Sequence, residues 1–331
     1  MVRKRPGEET TMTKTGELQL PRRAFLAGGV ASFAFIRSGI ATPPETIASG
    51  KTIGRGQMLV VHEDETGRIV AFDSSAYLGP HKTHPNDVIV VGSYCGTRIL
   101  APMFTRGVKA VIATDAGIGK DNAGISGLLH AETIGVPVAT IAAMSAETSN
   151  GRETLLLGTI SRANAQARAL GVELGMIAYE AAARLAKAPA GKSIPTSLGA
   201  EEAPVVVEQT AKGRVWATPG TTAITDKIPG DVVCSGANSS RVSSDGILRM
   251  GAKGSIANDA GIARNNTAVE GVALLEEKGV PSAAVATMSA RLGEGLSTWN
   301  DGIISVVNAP AAKLGVKVGM TAKDAARLML G

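Results

Sequence analysis

The chain of 331 residues carries 34 Lys and Arg against 29 Asp and Glu, for a net charge of +5, and is 44% hydrophobic but only 3% aromatic. That length accommodates two ordinary domains. The thin aromatic content, without a cluster of basic residues, argues against a nucleic-acid surface built on base stacking. Two cysteines are too few for a disulfide framework or a cysteine-ligated iron–sulfur cluster.

At the N-terminus, Arg22 and Arg23 precede a 13-residue apolar stretch, Ala24 to Ile36, followed by small residues at Gly39 and Ala41. The segment resembles a twin-arginine signal peptide, which implies export of a folded protein to the periplasm. The alternative is a cytoplasmic chain with a disordered arm. The stretch is shorter than the roughly 20 residues that span a bilayer, so no stable membrane span is expected. Residues 1–41 hold seven basic and three acidic side chains, which concentrates +4 of the net charge there and leaves the remainder near neutral. Residues 42–56 form a linker.

From Asp87 onward the chain repeats itself. Residues 87–182 lie over 231–326 at a constant offset of 144 without a gap: VIATDAGIGKDN (111–122) matches SIANDAGIARNN (255–266), and IGVPVATIAAMSA (134–146) matches KGVPSAAVATMSA (278–290). Upstream, GRIVA (67–71) matches GRVWA (213–217), each after an apolar run. The period is too long for a solenoid and indicates two fused domains, residues 57–186 and 203–331. The Pro/Gly/Ser-rich segment 187–202 links them.

Each copy begins with a hairpin pattern, VVHEDETGRIVAF or VVVEQTAKGRVWA. Short Val/Ile/Ala runs such as DVIVVGS, KAVIATDAG and PVATIAAMSA then alternate with stretches of helical length, including TLLLGTISRANAQARALG and AYEAAARLAK. The pattern predicts an α/β protein of two tandem homologous domains, each a β-hairpin plus a mainly parallel sheet with flanking helices. Ligands of open parallel sheets lie beyond the strands' carboxyl ends, where helix N-termini also point. The loops there are 92–98, 114–124 and 144–152 in the first copy, and 235–241, 258–268 and 288–295 in the second.

Polar residues common to both copies are Asp115/Asp259, Asn122/Asn266 and Ser145/Ser289. Asp115 and Asp259 suit acid/base work or the holding of a divalent metal, although Asp also caps helices, Asn holds turns, and Ser ties strand ends. The copies diverge at Lys120/Arg264, Glu147/Arg291 and Cys95/Ser239. Lys120, Arg241, Arg264 and Arg291 form a candidate anion clamp; Asn122, Ser145, Asn266 and Ser289 are candidate substrate contacts. Cys95 and Ser239 are candidate nucleophilic or proton-transfer groups. Glycines 117, 119 and 124 permit close backbone approach, but their spacing is no nucleotide fingerprint. His81 and His84 allow an HxxH metal site, with a solvated loop as the alternative.

SGANSSRVSSDGILRMGAKGSIANDAGIARNN (235–266) resembles the swivelling-domain segment of aconitase and isopropylmalate isomerase small subunits. GSYCGTRILAPMFTRGVKAVIATDAGIGKDN (92–122) is similar to the same layout and to that of the aconitase X small subunit. The resemblance implies dehydration or isomerisation of a small hydroxycarboxylate, with a loop serine as proton acceptor and an arginine binding the substrate carboxylate. Ser239, Ser240 and Arg241 match that loop; the first copy has Cys95, Gly96 and Arg98 nearby.

The expectation is therefore an enzyme acting on a small anionic carboxylate or carbonyl compound between the two copies, by lyase or isomerase proton transfer. No histidine accompanies Cys95 or Ser239 in the repeat loops, which places amide hydrolysis second. A periplasmic binding or accessory protein is a further alternative. The Ala/Val-rich stretches TISRANAQARALG and IISVVNAPAAKLG read as helices for packing between copies or in a homo-oligomer.

Overall fold

The computed structural model describes residues 52–54, 56–79, 81, 83–195 and 203–331, all within one compact unit. The signal-like segment, linker residues 42–51 and the linker stretch 196–202 lie outside the described residues.

The first repeat opens on a hairpin of β1 (Leu59–Asp64) and β2 (Gly67–Phe72). Its turn is tied by Asp64 Oδ1, which accepts from Thr66 N at 2.8 Å and Thr66 Oγ1 at 2.6 Å. There follow β3 (Asp87–Tyr94), α1 (Thr97–Arg106), β4 (Ala110–Thr114), α2 (Ser126–Ile134), β5 (Val138–Ile141) and α3 (Gly151–Leu156). The repeat closes with β6 (Ile160–Ala163), α4 (Ala165–Ala169) and α5 (Ala178–Leu185). The strands lie in sequence order; β2 to β5 run parallel, and β1 and β6 are antiparallel edges.

The second repeat has the same order: β7 (Val205–Thr210), β8 (Gly213–Thr218), β9 (Val232–Asn238), α6 (Arg241–Met250), β10 (Gly254–Asn258), α7 (Glu270–Glu277), β11 (Ser282–Val285), α8 (Gly295–Asp301), β12 (Ile304–Val307), α9 (Ala309–Lys313) and α10 (Ala322–Leu330). The architecture is thus two tandem α/β domains, each with a six-stranded mixed sheet and flanking helices.

Helices cover both sheet faces, which is why β3 reads as a continuous apolar run rather than an alternating one. Val88 and Val90 pack with Leu155, Ala181 and Leu185 on one face. Ile89 and Val91 pack with Leu100, Phe104 and Leu128 on the other. Each such side chain contributes about 1.5–3 kcal/mol on burial.

The stretch expected to be one helix, TLLLGTISRANAQARALG, is instead the end of α3, strand β6 and α4, so the reading of TISRANAQARALG and IISVVNAPAAKLG as helices is corrected. Gly158 ends the helix where a Cβ would lie 2.2 Å from Thr154 O. Asn164 then restarts it: its Oδ1 accepts from Ala167 N and Val138 N, and its Nδ2 donates to Val136 O. Asn308 repeats this arrangement. Local polar capping thus overrides helical composition.

At the base of each sheet an arginine clamps the aspartate at the start of the third strand, the first residue of β3 and the residue just before β9. Arg68 Nε and Nη2 donate to Asp87 at 2.9 and 2.8 Å. Arg214 Nε and Trp216 Nε1 donate to Asp231 Oδ2 at 2.9 and 2.8 Å. Burial alone raises the Asp231 carboxyl, but the Trp216 and Arg214 hydrogen bonds and the Arg214 charge outweigh it, holding the group below the usual carboxylate range. A depressed pKa stabilises the fold above the unfolded-state value of about 3.9, and that stabilisation is lost as pH falls through the folded-state value. Urea unfolding across pH 2–7 should show a shallower acid loss in Asp231→Asn than in the wild type; parallel curves would contradict this.

Candidate functional site

The loops that leave β4 and β10 meet across an approximate two-fold axis relating the repeats. Gly117 and Gly261 touch there: a Cβ built on either would sit 3.0 Å from the other's Cα. Each loop holds a run of residues at positive φ, Ala116 to Gly119 and Ala260 to Ala263, including the β-branched Ile118 at 67° and Ile262 at 69°. Such conformations cost of order 1–3 kcal/mol each and persist only where surroundings impose them. Here the imposing surroundings are the loop's own aspartate and the other repeat. Ala116, Ala123, Ala260, Ala263 and Leu292 form one buried cluster spanning both copies.

Asp115 and Asp259 organise these loops. Asp115 Oδ1 accepts from Gly117 N and Ala143 N, both at 2.9 Å. Asp259 Oδ1 accepts from Gly261 N at 3.2 Å and Thr287 N at 2.9 Å, and its Oδ2 from Ser305 Oγ at 2.8 Å. Both are buried. Each carboxylate ties two loops of its own copy together. This donor-rich setting does not suit the divalent metal considered for the pair, and no group of three His, Cys, Asp or Glu able to hold a metal occurs among the described residues.

The divergent charges also pair across the axis. Lys120 Nζ lies 3.0 Å from Asp301, Arg264 3.5 Å from Glu153, and Arg291 3.1 Å from Asp121. Glu147 accepts from Asn265 Nδ2 at 2.9 Å. Three members of the expected clamp are therefore engaged between the repeats, and only Arg241 stands apart. Burial is the main influence on Glu153 and raises its carboxyl, against the lowering effect of the hydrogen bond from Glu147 N; the Glu147 charge acts upward and that of Arg264 downward.

The shared residues have local roles. Asn122 and Asn266 sit exposed at φ 59° and 60°, a left-handed conformation that Asn tolerates. Ser145 Oγ donates to Ala142 O at 2.6 Å and accepts from Thr159 N at 2.9 Å, while Ser289 does the same with Ala286 and Ile303. These serines staple the edge strand. The glycines expected to approach a ligand approach protein instead: Gly119 faces Thr287, and Gly124 faces Asp115 O. His81 Nε2 is 2.7 Å from Gly56 O, and its ring packs against Phe72.

The loops after β3 and β9 differ sharply. In the first repeat, the Tyr94 ring lies over Gly96, where a Cβ would be 2.2 Å from Tyr94 Cε2. Thr97 N, at the start of α1, donates to Ser126 Oγ at 3.1 Å. Cys95 is fully buried in the apolar core, and burial pushes its thiol far above the usual range despite a backbone hydrogen bond from Leu128. A thiol so placed is not a solvent-facing nucleophile.

In the second repeat Asn238 replaces Tyr94, and Ser240 Oγ donates to Asn238 Oδ1 at 2.8 Å. Glu270 replaces Ser126, and its carboxylate lies 3.4 Å from the exposed Arg241 guanidinium. Ser239 Oγ, 5% exposed as a residue, is a buried polar atom without a hydrogen-bond partner. The start of α6 therefore gathers Asn238, Ser239, Ser240 and Arg241 where the start of α1 is sealed by an aromatic ring. Sequence reasoning found Ser239, Ser240 and Arg241 but missed Tyr94, Asn238 and Glu270. Comparing the copies at 94/238 and 126/270 would have exposed them.

Among the described residues, no helix is long and apolar enough to cross a membrane. No protein-family model matches the chain, nor does any curated protein or solved structure.

Proposed function

We propose that the chain binds a small anionic carboxylate or carbonyl compound at the α6 start of the second repeat, where it performs lyase- or isomerase-type proton transfer. The observation that carries this reading is the contrast between equivalent helix starts: Tyr94 seals one, whereas the other has an exposed Arg241 and, two residues before it, the buried and unsatisfied Ser239 hydroxyl, which a ligand reaches only if the loop opens. A helix N-terminus favours an anion through its unpaired N–H groups and dipole. Arg241 supplies a planar donor set for a carboxylate. In this reading Ser239 is the proton-transfer group, as the resemblance to swivelling domains implies, and the site lies in the second repeat rather than between the two. Export through the twin-arginine-like segment and assembly into a homo-oligomer belong to the same proposal.

Thermal shift and turnover with malonate, malate and citrate test it. Arg241→Ala should abolish stabilisation by these anions. Ser239→Ala should raise the melting temperature of the free protein by about 2–4 °C, because a buried unpaired hydroxyl costs about 1–3 kcal/mol, while removing turnover. Stabilisation without turnover in the wild type would favour a binding protein. No response to any of the three anions would sink the reading.

A further inference from the structure

We infer that the contact between the repeats is a heterospecific docking surface: each repeat's face is built to accept the other repeat and to reject a second copy of itself. The inference is independent of the ligand reading and rests on pairs of residues that differ in step across the two-fold axis.

The first pair concerns size. Gly119 faces Thr287, and a Cβ on Gly119 would lie 2.8 Å from Thr287 Oγ1 and 3.2 Å from its carbonyl oxygen. At the equivalent positions on the other side of the axis stand Ala263 and Ala143. The larger residue at 263 thus accompanies the smaller one at 143, and on that side Arg264 N donates to Ala146 O, whereas Lys120 N donates to Thr287 O. Ala263 accepts this at φ 60°, ψ 168°, a region otherwise nearly confined to glycine.

The second pair concerns charge. Arg291 meets Asp121 at 3.1 Å, while at the equivalent positions Glu147 meets Asn265 at 2.9 Å. The charge at 147/291 has reversed, and its partner has changed to suit. The third difference lies at 120/264: Lys120 pairs with Asp301, but the position equivalent to Asp301 is Leu157, and Arg264 turns to Glu153 instead.

Homotypic pairing would lose these matches. Two first-repeat faces would set Glu147 against Asp121 and leave a gap where Gly119 met Ala143. Two second-repeat faces would drive Ala263 into Thr287 and strand Arg291 opposite Asn265. Each mispairing carries an unfavourable contact, which is how specificity is obtained against alternatives rather than by affinity alone. A chain that closes on itself through this face therefore leaves no copy of it free to propagate assembly.

The test uses the full chain. Gly119→Ala should lower the melting temperature, and Thr287→Ala in the same protein should recover a large part of that loss, about 2–3 °C, because it removes the side chain that the added Cβ would meet at 2.8 Å and restores the Ala/Ala combination of 263 and 143. Arg291→Glu should be harmful alone and partly relieved by Asp121→Asn, which restores the Glu/Asn combination of 147 and 265, while Glu294, 2.8 Å from Arg291, still opposes the new carboxylate. Strict additivity in both cycles would overturn the inference. As a second readout, the folded protein carrying a protease site within 196–202 is cut, and native mass spectrometry should find only complexes of one first-repeat and one second-repeat fragment. Fragments that separate, or pairs of like fragments, would equally overturn it.

Discussion

Replacing Asp259 by alanine is expected to destabilise the protein by about 3–4 kcal/mol, whatever happens to activity. The carboxylate accepts from Gly261 N, Thr287 N and Ser305 Oγ in a buried setting. Its removal leaves two backbone donors without partners at the axis between the repeats, beneath a loop already held at positive φ, while Ser305 Oγ keeps Ala284 O at 3.2 Å. Asp115→Ala should cost somewhat less, about 2–3 kcal/mol, because Asp115 Oδ1 accepts from two backbone groups and the hydroxyl equivalent to that of Ser305, in Ser161, turns to Thr140. Chemical denaturation measures both. If each aspartate served catalysis alone, activity would vanish with stability unchanged, and that outcome would falsify the organising role assigned here.

A second large effect is expected from Gly295→Ala. An added Cβ would lie 2.2 Å from Thr218 N, 2.4 Å from Thr218 O and 2.6 Å from its carbonyl carbon, so the start of α8 would be forced away from β8. Because the obstruction is backbone on both sides, no rotamer change relieves it, and a loss of at least about 3 kcal/mol is expected. Gly151→Ala should behave alike, its Cβ meeting Phe72 O at 2.2 Å. Gly279→Ala is the control: no atom lies within 4 Å of the added carbon, and only its φ of 71° resists, so a loss near 1 kcal/mol is expected. Equal losses at 295 and 279 would show that conformation, rather than contact, decides.

These glycines show how far the duplication could be read. Asp115/Asp259 and Ser145/Ser289 stand out in the sequence as polar residues shared by both copies; Gly151 and Gly295 are shared as well, but nothing in the sequence alone singles them out. Retention did not distinguish a constraint set by ligand from one set by neighbouring backbone. The same limit applied to Lys120, Arg264 and Arg291: as sequence they are cations beside helix starts, and only the folded chain brings Asp301, Glu153 and Asp121 to meet them. Ser239 and Arg241 could be picked out, because one copy differs from the other in the same loop. The seal that makes them distinctive, Tyr94 over Gly96, needed the positions of ring and backbone.

The hairpin that opens each copy, the mainly parallel α/β class and the equivalence of the two domains were determined by the sequence itself, since they follow from local apolar periodicity, turn residues and a gapless repeat; the order of the strands in the sheet came from the fold. The short edge strands β6 and β12 escaped that reading because Asn164 and Asn308 act through bonds to residues more than 20 positions away. Which polar residues serve the ligand site and which join the repeats was decided only in three dimensions. A charged side chain carries no mark of its partner in the chain; the partner is set by how the loops pack across the two-fold axis.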